Sequence, residues 1–510
     1  MASTSRYSPR RSRRCSAAST AWAWWRHHEQ GTTPVASERF YNLVEFPYPS
    51  ADGLHVGHVF RYSGADAFGR YQRMQGREVF QPIGWDAFGI NAENYALKTG
   101  EHPSTLIART TQNFKRQLSS IDCAWDWDAC IDTSAPEYYR WTQWVFVKLY
   151  EAGLAYRAEA PVVWCPSCLT VLAREQLEDG ERCERCDTVV IERVMTQWFL
   201  RITAYADRLR VGLDALDWPD RSKRGQRNWI GGLHDWLISR QRYWGPPIPI
   251  VYCDGCGVVP VPEHQLPVVL PHIEDFRPRG TGESPLARIE EFVRTACPAC
   301  GAAARRETDV SDTFLDSSWY FLRYPCVDRA DVPWDDRVRP VDFYAGGQEH
   351  VQRHHLYARF VTMALHDLGL VPFAEPFPKI RLGGLLTHSG AKMSKSKGNV
   401  IGPDDYADLG PDVLRLALLF TIPWEHTGDF RDDQIAGVDR FLGKVRRWFA
   451  DGPDGAESAV PAVERVTKSM EAMKFNVAIA TLMEWRGRID KTTFARLLWP
   501  LAPTVAEELR

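Results

Sequence analysis

The chain of 510 residues is predicted to be a doubly wound α/β protein with a cysteine-rich insertion and a C-terminal helical bundle. A buried-strand pattern from Phe40 to Phe46 passes through a Pro/Gly-rich turn into helical periodicity that ends at Met74. Between 161 and 340 the pattern changes to CxxC pairs and prolines, and the α/β pattern resumes at Val341. Amphipathic helices follow Gln434. Strand, glycine turn and helix form the repeating unit of a Rossmann-type sheet, which the insertion here divides in two.

These changes divide the chain into five predicted segments. They are a basic, disordered tail (1–38), the first half of a nucleotide-binding domain (39–160), a connective insertion (161–340), the second half of the nucleotide-binding domain (341–433) and a helical bundle (434–510). In the first half, a second strand from Glu78 to Gln81 leads into the loop Gly84 to Gly89. Loops that follow strand ends hold ligands in parallel sheets, so we expect this loop to border a site.

The tail is basic and has no acidic residue before Glu29. This composition is typical of an organellar import peptide or of a disordered basic extension. We favour the extension, because the rest of the chain also prefers Arg to Lys, as GC-rich bacterial genes often do. There is no secretory signal, so we expect a cytoplasmic protein.

Composition excludes several classes of protein. The hydrophobic content of 44% and charged content of 25% are ordinary for a globular domain. No apolar run reaches the roughly 18 residues that span a bilayer, so an integral membrane protein is excluded. The net charge of −3 gives no global basic field for nucleic acid, although local patches can still bind it. We expect a monomer.

Two short motifs more than 300 residues apart carry groups that bind phosphate. His55, Gly57 and His58 form an HxGH motif at a predicted helix N-terminus, where imidazole N–H groups can donate to a polyphosphate. The second motif is the KMSKS run, namely Lys392, Met393, Ser394, Lys395 and Ser396. Its lysines can bring positive charge to the same phosphates. Together the motifs indicate attack on the α-phosphate of ATP, bound with Mg²⁺, and release of pyrophosphate.

Eight of the twelve cysteines fall in four CxxC pairs. Within a pair the two-residue spacer lets both thiolates reach one ion, and two pairs complete a tetrahedral four-sulfur zinc site. Two structural zinc sites are therefore predicted, the first at Cys165, Cys168, Cys183 and Cys186, and the second at Cys253, Cys256, Cys297 and Cys300. Disulfides or redox pairs are the alternatives, and the missing secretion signal disfavours structural disulfides. Four sulfur ligands leave no open position, so we expect no chemistry at either ion.

From about Arg39 onward the sequence resembles the class I aminoacyl-tRNA synthetases, and among them the leucyl-tRNA synthetases. The matching segments are 46–50 (FPYPS), 53–58 (GLHVGH), 71–74, 84–89 (GWDAFG), 139–144, 236–245, 312–320, 346–350 (GGQEH) and 392–399. The resemblance implies an ATP-dependent ligase whose partners are leucine and tRNA, and a bundle at 434–510 similar to an anticodon-binding domain.

The resemblance also implies roles for individual residues. His55, His58, Lys392 and Lys395 would stabilise the triphosphate, and Gly346, Gly347 and Glu349 would lie against the adenosine. Asp86 would hold the amino group of the amino acid. Its side-chain pocket would be formed by Phe46, Tyr48, Phe314, Tyr320, His350 and His354. The two histidines, four residues apart, are expected on one helical face.

The chain also departs from the family pattern. The large editing domain that normally follows a segment like 227–231 is missing, since Gly231 and Gly232 lead directly into the segment 236–245. A leucine-specific insertion before the KMSKS run and the C-terminal tRNA-binding domain are not expected either. In the pocket region, Asn91, Arg353 and His355 replace a proline and two apolar residues.

The last two replacements leave two possibilities. If Arg353 and His355, on the same helix as His354, point away from the pocket, toward solvent or a neighbouring acid, the pocket stays apolar. If either turns inward with Asn91, the pocket favours a polar analogue of leucine.

Three functions remain open from the sequence. The first is a leucine–tRNA ligase without editing. The second is a ligase that forms a leucyl-type adenylate and passes leucine or an analogue to a carrier protein or a small amine. The third is a non-catalytic, zinc-stabilised binding protein, disfavoured because both motifs retain their His, Lys and Ser residues.

Overall fold

The structure, a computed structural model, describes residues 38–388, 390–392 and 400–509. Its central sheet has four parallel strands in the order β16 (Ile380–Gly383), β15 (Phe343–Gly347), β1 (Arg39–Val44) and β2 (Glu78–Phe80). Strand β1 pairs on one side with β2, which follows it in the chain, and on the other with β15, more than 290 residues later. The two predicted halves therefore form one sheet, as the sequence indicated. The elements of the first half are β1 (Arg39–Val44), α1 (Val56–Met74), β2 (Glu78–Phe80), α2 (Ile90–Thr99), α3 (Pro103–Ser120) and α4 (Pro136–Glu151).

The insertion is built mostly from antiparallel strands. Its longest pair, β3 with β7, is ten residues long in register, from Ala155↔Leu200 to Trp164↔Ile191. The predicted boundary at 160/161 falls inside β3. The elements are β3 (Ala155–Cys165), β4 (Thr170–Leu172), β5 (Leu177–Glu178), β6 (Arg182–Cys183), β7 (Ile191–Leu200), α5 (Ala206–Gly212), α6 (Asp220–Ile230), β8 (Trp236–Leu237), β9 (Ser239–Arg240), β10 (Ile250–Cys253), β11 (Gly257–Pro260), α7 (Glu290–Val293), β12 (Arg294–Ala296), β13 (Ala303–Arg306), β14 (Val310–Ser311), α8 (Thr313–Ser317) and α9 (Tyr320–Arg323).

The second half returns the chain to the central sheet and then to a small sheet of β17, β18 and β19. Its elements are β15 (Phe343–Gly347), α10 (His354–Asp367), β16 (Ile380–Gly383), β17 (Leu386–His388), β18 (Ala391–Lys392), α11 (Pro411–Thr421) and β19 (Gly428–Phe430). A buried ion pair joins the halves: Arg415 on α11 donates to Asp66 on α1 at 2.6 Å, and neither side chain is exposed. Because a buried carboxylate is costly without such a partner, this pair holds α11 against α1.

The C-terminal bundle consists of α12 (Asp432–Asp451), α13 (Val460–Glu471), α14 (Phe475–Trp485), α15 (Lys491–Leu498) and α16 (Pro503–Glu508). On α12 the buried residues Ile435, Val438, Leu442 and Val445 recur every three or four positions, as an amphipathic helix requires. The predicted boundary at 433/434 falls inside α12. No helix in the described part of the chain is both long and apolar enough to cross a membrane.

Candidate active site

The carboxyl ends of β1 and β15 meet at one edge of the sheet, and a cavity of about 450 Å³ opens there. Parallel strands that are neighbours but distant in the chain leave such a crevice at their carboxyl ends. Residues of both halves line the cavity: Val44, Glu45, Phe46, Pro47, Tyr48, His55, His58, Arg61, Tyr62, Asn91, Ala345, Glu349, His350, Leu385 and Leu386. Five of the predicted site residues, His55, His58, Glu349, Phe46 and Tyr48, are thus brought together, and His350 is a sixth.

The two histidines of the first motif are held by the N-terminus of α1. His55 is the N-cap residue, and its Nδ1 atom accepts a hydrogen bond from the Gly57 N–H at 3.0 Å. His58 Nδ1 accepts from the His55 N–H at 3.2 Å. A neutral imidazole that accepts through Nδ1 carries its proton on Nε2, so each ring keeps an Nε2–H donor. Desolvation, with the neighbouring His55, lowers the pKa of His58 well below its ordinary value, so its ring is neutral at pH 7.

Glu45, which was not among the predicted site residues, holds the GGQEH loop in place. Glu45, at the end of β1, accepts from the Gly347 N–H at 2.8 Å and lies 2.6 Å from His350 Nε2. Arg61 lies 3.7 Å from Glu45 and 3.4 Å from Glu349. Burial opposes the charge on Glu45, but His350 and Arg61 outweigh it and lower the pKa of Glu45 well below its ordinary value. An acid directly before FPYPS, at the end of a buried strand, was the signal in the sequence.

The glycines of the GGQEH segment allow this close approach. A Cβ atom at Gly347 would lie 2.6 Å from both Arg61 Nη1 and Glu349 Oε2, and one at Gly346 would lie 2.7 Å from the ring of Tyr344. A side chain at Gly347 would therefore displace the ends of Arg61 and Glu349, which line the cavity, and one at Gly346 would clash with the buried ring of Tyr344.

The second phosphate motif falls largely outside the described residues. Met393, Ser394, Lys395 and Ser396 are not described, nor is the side chain of Lys392. The backbone of Lys392 pairs with Thr387 of β17, and Leu385 and Leu386, at the start of that strand, line the cavity. The strand that leads into the motif is therefore beside the site.

Asp86 is 1% exposed, and its N–H donates at 3.1 Å to the carbonyl of Pro47, which lines the cavity. Its Oδ1 atom accepts from the Thr313 hydroxyl at 2.8 Å, whereas its buried Oδ2 atom has no partner at normal hydrogen-bond geometry, although Tyr48 also lowers the pKa of this carboxyl group. Burial raises the pKa of Asp86 to about 8, and the Thr313 hydrogen bond only partly offsets it. A buried carboxylate oxygen without a partner is costly, so this atom is suited to accept from a ligand cation such as an ammonium group.

The other predicted pocket residues form an aromatic layer. Phe46 stacks on Tyr320 with ring centroids 4.1 Å apart, and the Tyr320 hydroxyl donates to that of Tyr344 at 3.2 Å. The centroid of the His354 ring is 5.7 Å from that of Tyr320. Phe314 is one layer farther back, against Tyr357. Aromatic faces of this kind suit an apolar side chain.

The expectation that His350 and His354 share one helical face was wrong. His350 ends a 3₁₀ turn (Gln348–His350), and α10 begins only at His354, although the two rings remain 6.2 Å apart between centroids. The expectation that Arg353 belongs to the same helix was also wrong, since Arg353 precedes it with φ −123° and ψ −100°.

Arg353 points away from the pocket. It forms an ion pair with Glu184, and its Nε donates to the Glu175 carbonyl at 2.7 Å. His355 is fully buried between Trp218, Tyr344 and Phe377, with ring centroids 5.0 to 6.0 Å away. For Arg353 the structure therefore favours the reading in which the side chain pairs with a neighbouring acid.

The eight cysteines gather into two clusters as the spacing predicted. In each, the four Sγ atoms lie within 4.8 Å of one another, and the first cluster is the more deeply buried. A tetrahedral zinc ion with sulfur at about 2.3 Å separates its ligands by about 3.8 Å, which both clusters can reach. Cys165, Cys168, Cys183 and Cys186 could hold one zinc ion and Cys253, Cys256, Cys297 and Cys300 another. Of the remaining cysteines, Cys123 and Cys326 are buried and Cys130 is half-buried, whereas Cys15 is outside the described residues.

Comparison with known proteins gives consistent matches. A profile of tRNA synthetases class I (I, L, M and V) matches residues 21–427. Leucine–tRNA ligase of Clostridium perfringens (strain SM101) is 34% identical over 700 residues, covering 92% of this chain and 85% of that protein. The enzyme of Caldanaerobacter subterraneus is 34% identical over 702 residues, with the same shares. These alignments are longer than the 510 residues of this chain, so the relatives contain segments without a counterpart here.

Solved structures agree on the fold. The agnB2 LeuRS of Agrobacterium radiobacter K84, in a ternary complex with tRNA and LeuAMS, superposes with a TM-score of 0.87 at 29% identity, covering 96% of this chain and 87% of that one. A Mycobacterium tuberculosis methionyl-tRNA synthetase in complex with methionyl-adenylate gives a TM-score of 0.68 at 19% identity, covering 92% and 93%. The second match concerns the fold alone.

Proposed function

This chain belongs to the class I tRNA synthetases (I, L, M and V), and we propose that it activates leucine with ATP, transfers it to tRNA and does not edit the product. It is a ligase of the leucyl type. The observation that carries the proposal is the cavity itself. The Nε2–H donors of His55 and His58 come from one half and Glu349 comes from the other. Asp86, whose Oδ2 atom is unpartnered, is tied through its N–H to the carbonyl of the cavity residue Pro47.

The activation step follows from this arrangement. The carboxylate oxygen of leucine attacks the α-phosphorus of ATP, the bond to the bridging oxygen breaks, and pyrophosphate leaves. Asp86 binds the ammonium group and orients the carboxylate. His55 and His58 donate to phosphate oxygens on which charge increases, and Lys392 and Lys395 add positive charge. Mg²⁺ bound with ATP would supply further positive charge to the phosphates. Glu349 holds the ribose, and Phe46 and Tyr48 contact the isobutyl group.

The absence of editing is supported by the junction that the sequence analysis singled out. Helix α6 ends at Ile230, Gly231 and Gly232 donate to Arg227 and Trp229 carbonyls in one turn, and β8 begins at Trp236. No domain fits between 231 and 235. Alignments longer than this chain are consistent with segments that the relatives carry and this chain omits.

The test is transfer of labelled leucine. The protein is incubated with ATP, leucine and total tRNA, in parallel with tRNA whose 3′ ends are blocked by periodate. We expect a labelled product that precipitates with intact tRNA and is lost with blocked tRNA. If labelled leucine forms an adenylate but passes only to an added carrier protein or small amine, that molecule and not tRNA is the acceptor. No leucine-dependent exchange of pyrophosphate at all would refute the proposed function.

A further inference from the structure

The loop between Cys183 and Cys186 consists of Glu184 and Arg185, and both side chains are largely buried, with exposed fractions of 14% and 12%. They contact each other, with Arg185 Nη2 3.3 Å from Glu184 Oε1. Side chains in a short loop that joins two metal ligands usually project into solvent. Here the loop is instead folded onto the body of the protein. We call these two residues the Cys183–Cys186 loop.

The Cys183–Cys186 loop reaches the amino-group side of the pocket through Arg185. Its Nε atom donates to Asn91 Oδ1 at 3.2 Å. Asn91 lines the cavity and is the second residue of α2, which begins four residues after Asp86. A buried guanidinium is costly, and Nη1 of Arg185 is buried without a hydrogen-bond partner. The local pairing with Glu184 thus leaves Nη1 unsatisfied, and the hydrogen bond to Asn91 is the contact that connects Arg185 to the cavity.

The same loop reaches the side-chain wall of the pocket through Glu184. Glu184 forms an ion pair with Arg353, which directly precedes His354, the first residue of α10. Arg353 also donates from Nε to the Glu175 carbonyl at 2.7 Å, in the same cysteine module. Burial and the charges of nearer acids raise the pKa of Tyr48, a cavity residue, and the charge of Glu184 adds a smaller effect in the same direction. Glu184 is therefore within electrostatic reach of the cavity.

We propose that Glu184 and Arg185 are positioning residues that set the distance between the amino-group site and the side-chain wall, and so determine how tightly the amino acid binds. The proposal rests on leucine activation as the proposed function. Both positions that the loop contacts, Asn91 and Arg353, were among the departures from the family pattern. Through these two contacts the loop connects Asn91 on one side of the pocket with Arg353 on the other, without entering the pocket.

The test separates binding of the amino acid from binding of ATP. Glu184→Gln and Arg353→Leu are each measured in pyrophosphate exchange with saturating ATP and with saturating leucine. We expect the KM for leucine to rise about tenfold and the KM for ATP to stay within about twofold, because a shifted wall misplaces one ligand only. The charge-swapped double variant, Glu184→Arg with Arg353→Glu, restores the ion pair but not the contact with Arg185 or the hydrogen bond to the Glu175 carbonyl, so it should recover part of the loss. Glu181→Gln, an exposed acid of the same module, is the matched control and should leave both constants unchanged.

A merely structural role would lower kcat through loss of folded enzyme and leave both KM values unchanged, and that result would overturn the proposal. An equal rise of the KM for leucine in the single variants and in the charge-swapped variant would also overturn the proposal. If the unmutated enzyme shows no leucine-dependent pyrophosphate exchange, the proposed function fails. The positioning role of Glu184 and Arg185 is then tested separately by amide hydrogen exchange without substrate. Amide hydrogen exchange that is faster in the first turns of α2 and α10 in both single variants, and slower again in the charge-swapped variant, supports the positioning role. Unaltered exchange in those turns rejects it.

Discussion

The Glu45 carboxylate accepts a hydrogen bond from His350 across a distance of 2.6 Å. The two residues are more than 300 positions apart, one at the end of β1 and the other in the turn after β15. Their side chains are only 15% and 13% exposed. Because Glu45 also accepts from the Gly347 N–H, one carboxylate ties the two halves of the nucleotide-binding fold together at the mouth of the cavity.

The first prediction concerns stability and pH at this pair. The pKa of Glu45 is below its ordinary 4.5, so its contribution is present above that pH and is lost as pH falls through the folded pKa. Although burial opposes it, the charge of Glu45 raises the pKa of His350 above its ordinary 6.5, so that contribution is present below 6.5 and is lost as pH rises through the folded pKa. Both contributions are present between about pH 4.5 and 6.5. Glu45→Gln should cost about 3 kcal/mol there.

Thermal unfolding of the two proteins from pH 5 to 9 checks this prediction. The difference in Tm should be largest near pH 6 and smaller at pH 9, where only Arg61 and the Gly347 N–H still depend on the charge of Glu45. Glu78→Gln is the control, because Glu78 pairs with Arg39 where both side chains are more than half exposed. A difference in Tm that does not change with pH would show that the charge of His350 does not contribute to stability at this pair.

The second prediction concerns the donors of the first motif. His58→Ala should lower pyrophosphate exchange by about 10²–10³, as loss of one oxyanion donor does. His58→Gln keeps a donor near the position of Nε2, whereas His58→Asn keeps only the acceptor near Nδ1, which bonds to the His55 N–H. We therefore expect Gln to retain more activity than Asn. The reverse order would mean that His58 acts by capping the helix and not by contacting phosphate.

Much of this site could be predicted from the sequence because its motifs are local. A strand, a turn and a helix N-terminus lie within 40 residues, so the placement of His55 and His58 follows from one local unit. The CxxC spacing likewise determines which thiols can meet. Both predictions were made from neighbouring residues, and in both the side chains lie together.

Glu45 and the start of α10 could not be predicted in this way. The partners of Glu45 come from β15, and nothing near Glu45 in the sequence indicates which distant strand pairs with β1. The spacing of His350 and His354 predicts one helical face, but the helix begins only at His354, and His350 pairs with Glu45 instead. Tertiary context thus overrides a local pattern here.

The third prediction concerns Asp86 and the pH dependence of amino-acid binding. Burial raises the pKa of this carboxyl to about 8 in the free enzyme, so most molecules are protonated at pH 6. Binding an ammonium group requires the carboxylate, and the KM for leucine should fall about tenfold per unit between pH 6 and 7. Thr313→Val removes the hydrogen bond that favours the charged form, so it should move this fall to higher pH. In Asp86→Asn the KM should be high and independent of pH.

The fourth prediction concerns the metal. Carefully purified protein should contain two zinc ions per chain by elemental analysis. Cys168→Ser should lose one ion and Cys253→Ser the other, since each removes one sulfur of a four-sulfur site. Both variants should unfold at lower temperature, because the free energy of zinc binding contributes to folding. Protein prepared without chelators that contains no zinc would contradict the assignment.

The last prediction concerns fidelity. A pocket walled by aromatic rings separates side chains that differ by one methylene by only about 1–3 kcal/mol. Norvaline, which is one methylene smaller than leucine, should therefore be activated at a measurable rate, and so should isoleucine, an isomer that differs only in the position of its branch. Hydrolysis of the wrong ester requires a second site, and the turn from Gly231 to Asp235 leaves no room for one. Transfer RNA charged beforehand with isoleucine should therefore lose its ester at the same rate with and without the protein, as should the leucine ester used as the control. Rapid loss of the isoleucine ester alone would mean that a hydrolytic site exists elsewhere in the chain. Slow loss of both, with no excess ATP consumed in the presence of norvaline, would place all selectivity in the pocket around Phe46 and Tyr48.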